Sequence, residues 1–148
     1  MASFKYTFQK IVDLKGSEKT QAEWMLSEAI AQLRQHEEQQ QQLKMLQNEW
    51  EQKLEQSVIH SVPLQEVLII QHYIDFYKQA IKDKQMEIEQ ASIDVELRRE
   101  QLANKMKEEK VWDKAKENAF AKFRYSMQLR EQNELDEMAS IRFMSPTP

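Results

Sequence analysis

A single glycine, Gly16, in a chain of 148 residues is the feature that most restricts the fold. Glycine supplies the positive φ angles of tight turns, so sandwiches, barrels and doubly wound sheets, which need many such turns, are excluded. Six residue types that favour helices, namely Glu, Gln, Lys, Leu, Ala and Arg, occupy 82 of the 148 positions. The composition therefore predicts long helices or a coiled coil rather than a compact enzyme.

One segment, residues 57–63, interrupts the helical sequence because it ends in a proline. Proline is tolerated in the first turn of a helix but not in its interior, so a second helix is expected to start beside Pro63, with Ser61 or Val62 as its N-cap. We expect helices near residues 4–57 and 64–139, a turn at 58–63 and a frayed tail at 140–148. Gly16 is either a kink or a tolerated position in the first helix.

Apolar residues recur every seven positions in both halves of the chain. In the second half they occupy a-type positions from Val67 to Leu102, with d-type partners from Ile70 to Ala119. In the first half the steps run from Phe8 to Trp50. They are supported by Ile11, Met25, Leu26, Leu33, Leu46 and Leu54. A repeat of 3.5 residues sustained over this length predicts a coiled-coil seam.

Two such helices joined by about five residues must run antiparallel. The predicted fold is all-α, a single coiled-coil hairpin over residues 1–148, with helices about 80 Å and 114 Å long. Residue n then faces roughly residue 122 − n, which places Phe4 opposite Asn118. The second helix overhangs beyond that point, and the polar seam near residues 34–42 is expected to weaken the pairing locally and influence its register.

Most catalytic chemistry is excluded by the same composition. Phosphate-binding loops and nucleophile elbows need two or more glycines, and His36, His60 and His72 have no metal-ligand spacing. Carboxylate pairs on a solvated helix lack the desolvated cleft that raises a carboxyl pKa. We expect no catalytic, metal or cofactor site and no small-molecule substrate. The absence of an apolar run of membrane-spanning length favours a soluble cytoplasmic protein.

An aromatic group follows the turn and is the first candidate interaction surface. Tyr73, Phe76, Tyr77 and Ala80 make the apolar stripe wider than one seam requires. They form either an exposed docking patch or a group covered by Trp50 and Leu54 across the hairpin.

The open end of the hairpin is the second candidate surface. Residues 105–124 contain seven Lys or Arg and four acidic residues, which indicates a solvated face or insertion into an electronegative cavity. This basic stretch is too sparse for nucleic acid. The overhang also lacks intrachain partners and requires a partner chain, a second copy or local disorder. Its apolar residues are Phe120, Phe123, Tyr125, Met127, Leu129, Leu135 and Met138.

Three segments resemble the flagellar FliJ family. They are the opening FKYTFQKIVDLK at residues 4–15, QHYIDFYKQAI at residues 71–81, and EQNELDEMASIRF at residues 131–143, in which Leu135-Asp136-Glu137 is the most specific part. The chain length, the hairpin pattern and the scarcity of glycine agree with this resemblance, which covers essentially the whole chain.

The resemblance implies a non-enzymatic, stalk-like coiled coil of the type III flagellar export apparatus, at the cytoplasmic face of the membrane. It implies binding to and activation of the hexameric export ATPase, contact with the membrane export gate and, in some members, handling of export chaperones. Carried over, the gate-facing residues are Tyr73, Phe76, Tyr77 and Ala80. The ring-facing residues are Phe8, Ile11, Lys110, Trp112, Phe120 and Phe123.

Two other functions remain open from the sequence. An export chaperone would capture unfolded clients on an exposed seam without any ATPase ring. A structural rod would self-associate through the overhang. Binding of unfolded chains, and light scattering at several concentrations, distinguish the two from the stalk.

Overall fold

The computed structural model describes residues 3–144 and confirms an all-α hairpin in which two long helices pack against each other. Helix α1 spans Gln9–Ile59 and helix α2 spans Leu64–Met144, with no strand among the described residues. The tail expected to fray at 140–148 is helical as far as residue 144, and residues 145–148 lie outside the described part.

Helix α1 begins five residues later than residue 4, the start expected from the sequence. Residues 3–6 are not helical, and the Phe8 carbonyl accepts the first helical hydrogen bonds from Ile11 and Val12. The rings of Phe4 and Tyr6 stack with centroids 6.4 Å apart, and Tyr6 contacts Phe8 edge-on at 5.8 Å. The aromatic residues that precede α1 therefore pack together as a short non-helical arm.

The turn between the helices ends α1 in a left-handed conformation. Ser61 has φ 53°, and the Val62 amide donates to the Ser57 carbonyl at 3.3 Å, which is the long-range bond of a Schellman motif. The Pro63 carbonyl accepts from Glu66 and Val67 and so occupies the N-cap position of α2. The expectation that Ser61 or Val62 caps α2 is therefore wrong, because both residues belong to the termination of α1.

The chain divides into two compact units, which we describe separately. The second unit spans Gln21–Ala103 and contains the turn. Its seam is formed by α2 residues at the expected a and d positions, all buried or half-buried, and Ile74 is only 2% exposed. On α1, Ala22 and Ala29 are buried as expected, whereas Met25 and Leu46 lie at the exposed margin.

The α1 seam differs from the expectation because its steps alternate strictly between four and three residues from Ala22. That alternation brings Gln40 and Gln47 into the seam. The Gln40 amide, in a side chain 9% exposed, donates to Gln85 Oε1 at 2.8 Å and to the Ile81 carbonyl at 3.4 Å. The expected polar interruption of the seam is therefore a hydrogen-bonded layer, and the bonds tie one helix to one register of the other.

The first unit contains residues 3–20 and residues 104–144 of the described chain. Here ion pairs and aromatic rings join the two segments in place of an aliphatic seam. Lys15 and Lys19 bind Glu108 and Glu109 at 3.2 Å and 3.1 Å, and Lys105 binds Glu18 at 3.2 Å. Gly16 continues the helix with a negative φ, so it is a tolerated position rather than a helix break.

Candidate interaction surfaces

An aromatic cluster forms in the first unit where the start of the chain meets α2. The Phe4 ring lies 5.2 Å from the Phe120 ring and 5.3 Å from the Phe123 ring, between centroids, and Phe8 contacts Trp112 edge-on at 5.9 Å. Rings at these separations attract each other in addition to excluding water. Four of the six residues expected to face an ATPase ring therefore take part in these three ring contacts.

The cluster is only partly closed to solvent. Phe8 and Phe120 remain 48% and 44% exposed, whereas Trp112 and Phe123 are half-buried. Phe4 is the central ring of the cluster, although no binding role was expected for it from the sequence. The antiparallel pairing rule was the available signal, because it placed Phe4 opposite Asn118, two residues from Phe120.

The other two residues expected to face the ATPase ring, Ile11 and Lys110, differ in their exposure to solvent. Ile11 is half-buried, and Lys110 is exposed with no ion pair in the part of the chain that the structure describes. Lys107, Lys116 and Lys122 are also without an ion pair there. The expected basic character of this stretch is thus left available to a partner, although Lys105 and Lys114 are paired with glutamates.

Charge pairing in the first unit perturbs two ionisable groups. The hydrogen bond to Glu108 raises the pKa of Lys15 above its ordinary 10.5. The hydrogen bond from Lys15, followed in size by the opposing effect of desolvation and by attraction to Lys105, holds the pKa of Glu108 below 4.5. Both shifts favour the charged forms, so the pair stays ionised at neutral pH.

The last described part of α2, residues 128–144, is exposed at every position. Its apolar side chains include Leu135 at 67%, Met138 at 57% and Phe143 at 93% exposed. A helix without a packed face has little tertiary stabilisation. The first unit therefore leaves the apolar residues of 128–144 uncovered. The overhang expected from residue 119 starts too early, because Phe120 and Phe123, which were expected to lack an intrachain partner, pack against Phe4.

The aromatic group after the turn lies in the second unit and is partly covered. Tyr73 stacks on Trp50 with centroids 4.4 Å apart and planes 15° apart, and Lys53 Nζ lies 4.2 Å from the centroid of the Trp50 ring. Phe76 remains 59% exposed and Tyr73 41% exposed. The group was expected to be either an exposed patch or covered across the hairpin, and each description holds in part. Trp50 covers one face of Tyr73, while Phe76 stays open to solvent.

Tyr77 and Ala80 complete this group and are half-buried. The Tyr77 ring meets the Phe76 ring edge-on at 5.4 Å. Leu46, which was expected in the α1 seam, is 37% exposed, and Ile69, to which the sequence pattern gave no role, is 52% exposed. The expected wide apolar stripe is therefore present on α2, and an exposed leucine of α1 adds to the apolar surface of the unit.

No group of three or more His, Cys, Asp or Glu side chains that could hold a metal ion occurs among residues 3–144. His36 instead joins the polar layer of the second unit, with Nδ1 3.4 Å from Lys84 Nζ and 3.4 Å from Glu87 Oε2. None of the described helices is long and apolar enough to cross a membrane.

Comparison with protein families matches residues 4–147 to the family described as "Flagellar FliJ protein". Comparisons with curated proteins and with solved structures found no significant match. The family match covers nearly the whole chain, including both described units, and agrees with the resemblance carried by the three sequence segments.

Proposed function

The chain belongs to the flagellar FliJ family and is a component of the flagellar export apparatus, and on that premise we propose that it binds and activates the export ATPase ring and connects it to the export gate. In this proposal it acts in the cytoplasm beside the membrane, as a regulator without catalytic chemistry of its own. A coiled coil of this kind works through the surfaces that it presents to its partners.

The observation that carries the ATPase contact is the half-open aromatic cluster of the first unit. Phe120 is anchored against Phe4 but keeps 44% of its surface in water, and residues 128–144, farther along α2, have no intrachain cover. Large aromatic residues that are held rigidly and remain exposed are typical anchors of protein interfaces. We assign the ring contact to Phe8, Ile11, Lys110, Trp112, Phe120 and Phe123.

The gate contact is supported by the aromatic group of the second unit. Trp50 orders Tyr73 by stacking, so the face formed with Phe76 is presented at little cost in side-chain entropy. We assign the gate contact to Tyr73, Phe76, Tyr77 and Ala80. Export chaperones are a further class of partner that this surface, or the uncovered end of α2, would accommodate.

Activation in this scheme is allosteric. One chain seated in a ring of six subunits contacts them unequally, so it can stabilise one nucleotide state of a subunit over another. The stimulation of ATP hydrolysis then depends on how much more tightly the first unit binds the favoured state. The aromatic cluster supplies the binding surface, and the unpaired lysines beside it supply electrostatic attraction to an acidic ring interior.

The ring contact is tested by replacing Phe120 and Phe123 with Asp and measuring stimulation of the export ATPase. Two carboxylates at an apolar interface must be desolvated, so we expect stimulation to be lost while the circular dichroism spectrum remains helical. Val111→Asp is the matched control, because Val111 is 67% exposed and lies outside the assigned contact. Normal stimulation by the double variant refutes the assignment.

The gate contact is tested with Tyr73→Ala combined with Tyr77→Ala, and separately with Phe76→Ala. We expect weaker binding to the gate domain and unchanged binding to the ATPase, since all three residues lie in the second unit. Phe76→Ala removes a largely exposed ring, and Lys78→Ala, at a nearby exposed position outside the assigned contact, is its control. Normal gate affinity in both the double and the single variant contradicts the assignment.

A client-binding function is the second candidate, and one observation favours it. A holdase binds apolar segments of unfolded chains on an apolar surface that is open to solvent. The apolar residues of 128–144 are open to solvent, and Phe143 is 93% exposed. The two functions differ in what they require. A holdase suppresses aggregation of an unfolded protein in the absence of the ATPase, whereas an activator shows its effect only on the ATPase rate.

A further inference from the structure

The outward face of α2 in the second unit carries a row of large apolar side chains. Met86, Ile93 and Leu97 are 70%, 63% and 48% exposed. Successive helical residues are about 100° apart, so side chains seven and eleven positions along the helix return to within about 20° of the first. The three residues therefore form one straight row, which we call the outer row.

The outer row takes no part in the hairpin seam. Val95, which is 4% exposed and faces α1, lies two residues from both Ile93 and Leu97 and hence about 160° away from each around the helix. Solvent-facing positions of an amphipathic helix are normally polar. Three aliphatic side chains aligned there do not stabilise the hairpin, and aligned exposed apolar residues are typical of an interaction surface.

The charges that border the outer row are mostly acidic, and Lys82, four residues before Met86, is a basic neighbour. Residues 85–97 contain four acidic residues and no Lys or Arg. Glu89 lies four residues before Ile93 and Glu100 three residues after Leu97, so both are neighbours of the row on the helix surface. Neither makes an ion pair within residues 3–144. Positive charge on a partner that covers the row would therefore increase the affinity of binding.

We propose that the outer row is a docking surface for an amphipathic helix of a partner protein. The apolar face of that helix covers Met86, Ile93 and Leu97, and its Lys or Arg side chains pair with Glu89 and Glu100. An i, i+7, i+11 spacing matches the way in which one helix packs along another. A second copy placed row against row in parallel would oppose like charges, and an anionic lipid surface would repel the same carboxylates.

This surface is additional to the ring and gate contacts and does not depend on either. It consists only of α2 residues of the second unit, and none of them belongs to the residues assigned to the ATPase or to the gate. Because the row is exposed, its substitution leaves the seam intact. The surface is therefore testable on the full chain alone.

The test is isothermal calorimetry of the full chain with a synthetic amphipathic peptide of about 20 residues, long enough to form a helix on binding. One face of the peptide carries Leu and both flanks carry Lys, and a second peptide has Glu in place of Lys. We expect the Lys peptide to bind at least about 10-fold more weakly to the variant Ile93→Ser with Leu97→Ser. Trp24→Ser, which removes a 77% exposed side chain from α1, should bind normally.

A charge-reversal variant tests the specificity without removing the apolar row. In Glu89→Lys with Glu100→Lys, the preference should invert, so that the Glu peptide binds more tightly than the Lys peptide. Three results overturn the proposal. They are equal affinity of the two peptides for the natural chain, equal affinity of the Lys peptide for the natural chain and the Ser variant, and no binding of the Lys peptide to the natural chain. A dimer in sedimentation equilibrium that the Ser variant abolishes assigns the row to a second copy, and binding to anionic vesicles that the same variant abolishes assigns it to lipid; either result also overturns it.

Discussion

Single residues fix the pairing of the helices more than the hydrophobic pattern does. Gln40 and Lys84 lie in the seam of the second unit, where Lys84 Nζ donates to Gln39 Oε1 at 2.7 Å and to Glu87 Oε2 at 2.6 Å. Polar groups in a seam are stable only when they find these partners, and a shift of register would remove them. A polar layer of this kind makes a coiled coil less stable than an apolar layer would, but it specifies the register of the two helices.

The polar layer yields a stability prediction with a matched control. Gln40→Ala removes both hydrogen bonds of a buried amide, so the free energy of unfolding should fall by about 1–2 kcal/mol. Gln41→Ala changes the adjacent exposed glutamine and should alter that free energy by less than about 0.5 kcal/mol. Urea unfolding followed by circular dichroism gives both values. Equal effects of the two substitutions would show that the layer does not contribute.

Gly16 yields the opposite prediction, a gain of stability. It lies inside α1 with helical backbone, and a Cβ atom there would meet only Glu109 Oε2 at 3.6 Å, an ordinary van der Waals contact. Gly16→Ala should therefore raise the free energy of unfolding by about 1 kcal/mol, because alanine loses less backbone entropy in a helix. A lower thermal midpoint in the variant would indicate that the position needs glycine after all.

Helices and their seams were largely predictable from the sequence, whereas their ends were not. The heptads predicted the seam of α2 at every step in the second unit, because the apolar a-type residues from Val67 to Leu102 face α1. The N-cap of α2 and the late start of α1 were missed, since Ser61 adopts a left-handed conformation and Phe4 packs by ring contacts. Heptad spacing contains no information about either effect.

The ion pairs that join the two segments of the first unit yield a pH prediction. The lowered pKa of Glu108 means that its contribution to stability is present above the ordinary carboxyl pKa and is lost as the pH falls through the lowered value. The raised pKa of Lys15 means that its contribution is lost only as the pH rises through a value above 10.5. The pair should therefore stabilise the fold over the whole neutral range.

Glu108→Gln tests this pH dependence by thermal unfolding at low salt. The variant should melt below the natural chain at neutral pH, and the difference should vanish in acid below the lowered pKa of Glu108. Glu131→Gln, at an exposed position without an ion pair, should match the natural chain at every pH. A difference that persists unchanged in strong acid would assign the effect to packing rather than to charge.

At the scale of the whole molecule, the family match assigns the chain to a class of proteins, and exposure supports the proposed interaction surfaces. Family membership makes the chain a component of the flagellar export apparatus. The sequence alone indicated the surface after the turn, because Tyr73 and Phe76 make the apolar stripe wider than a seam requires. The ring-facing residues were expected from the family resemblance. It did not predict that Trp50 would order Tyr73, or that Phe4 would anchor Phe120, since those contacts depend on the exact register of the hairpin.

The hydrolysis rate of the cognate flagellar export ATPase tests the central claim most directly. The rate is measured for the ATPase alone, with the full chain, and with a chain truncated after Asn118, which lacks Phe120, Phe123 and the exposed end of α2. The account predicts stimulation by the full chain and none by the truncated chain. No stimulation by the full chain, with an otherwise competent ATPase, would contradict the proposed activation, and equal stimulation by both chains would contradict its placement.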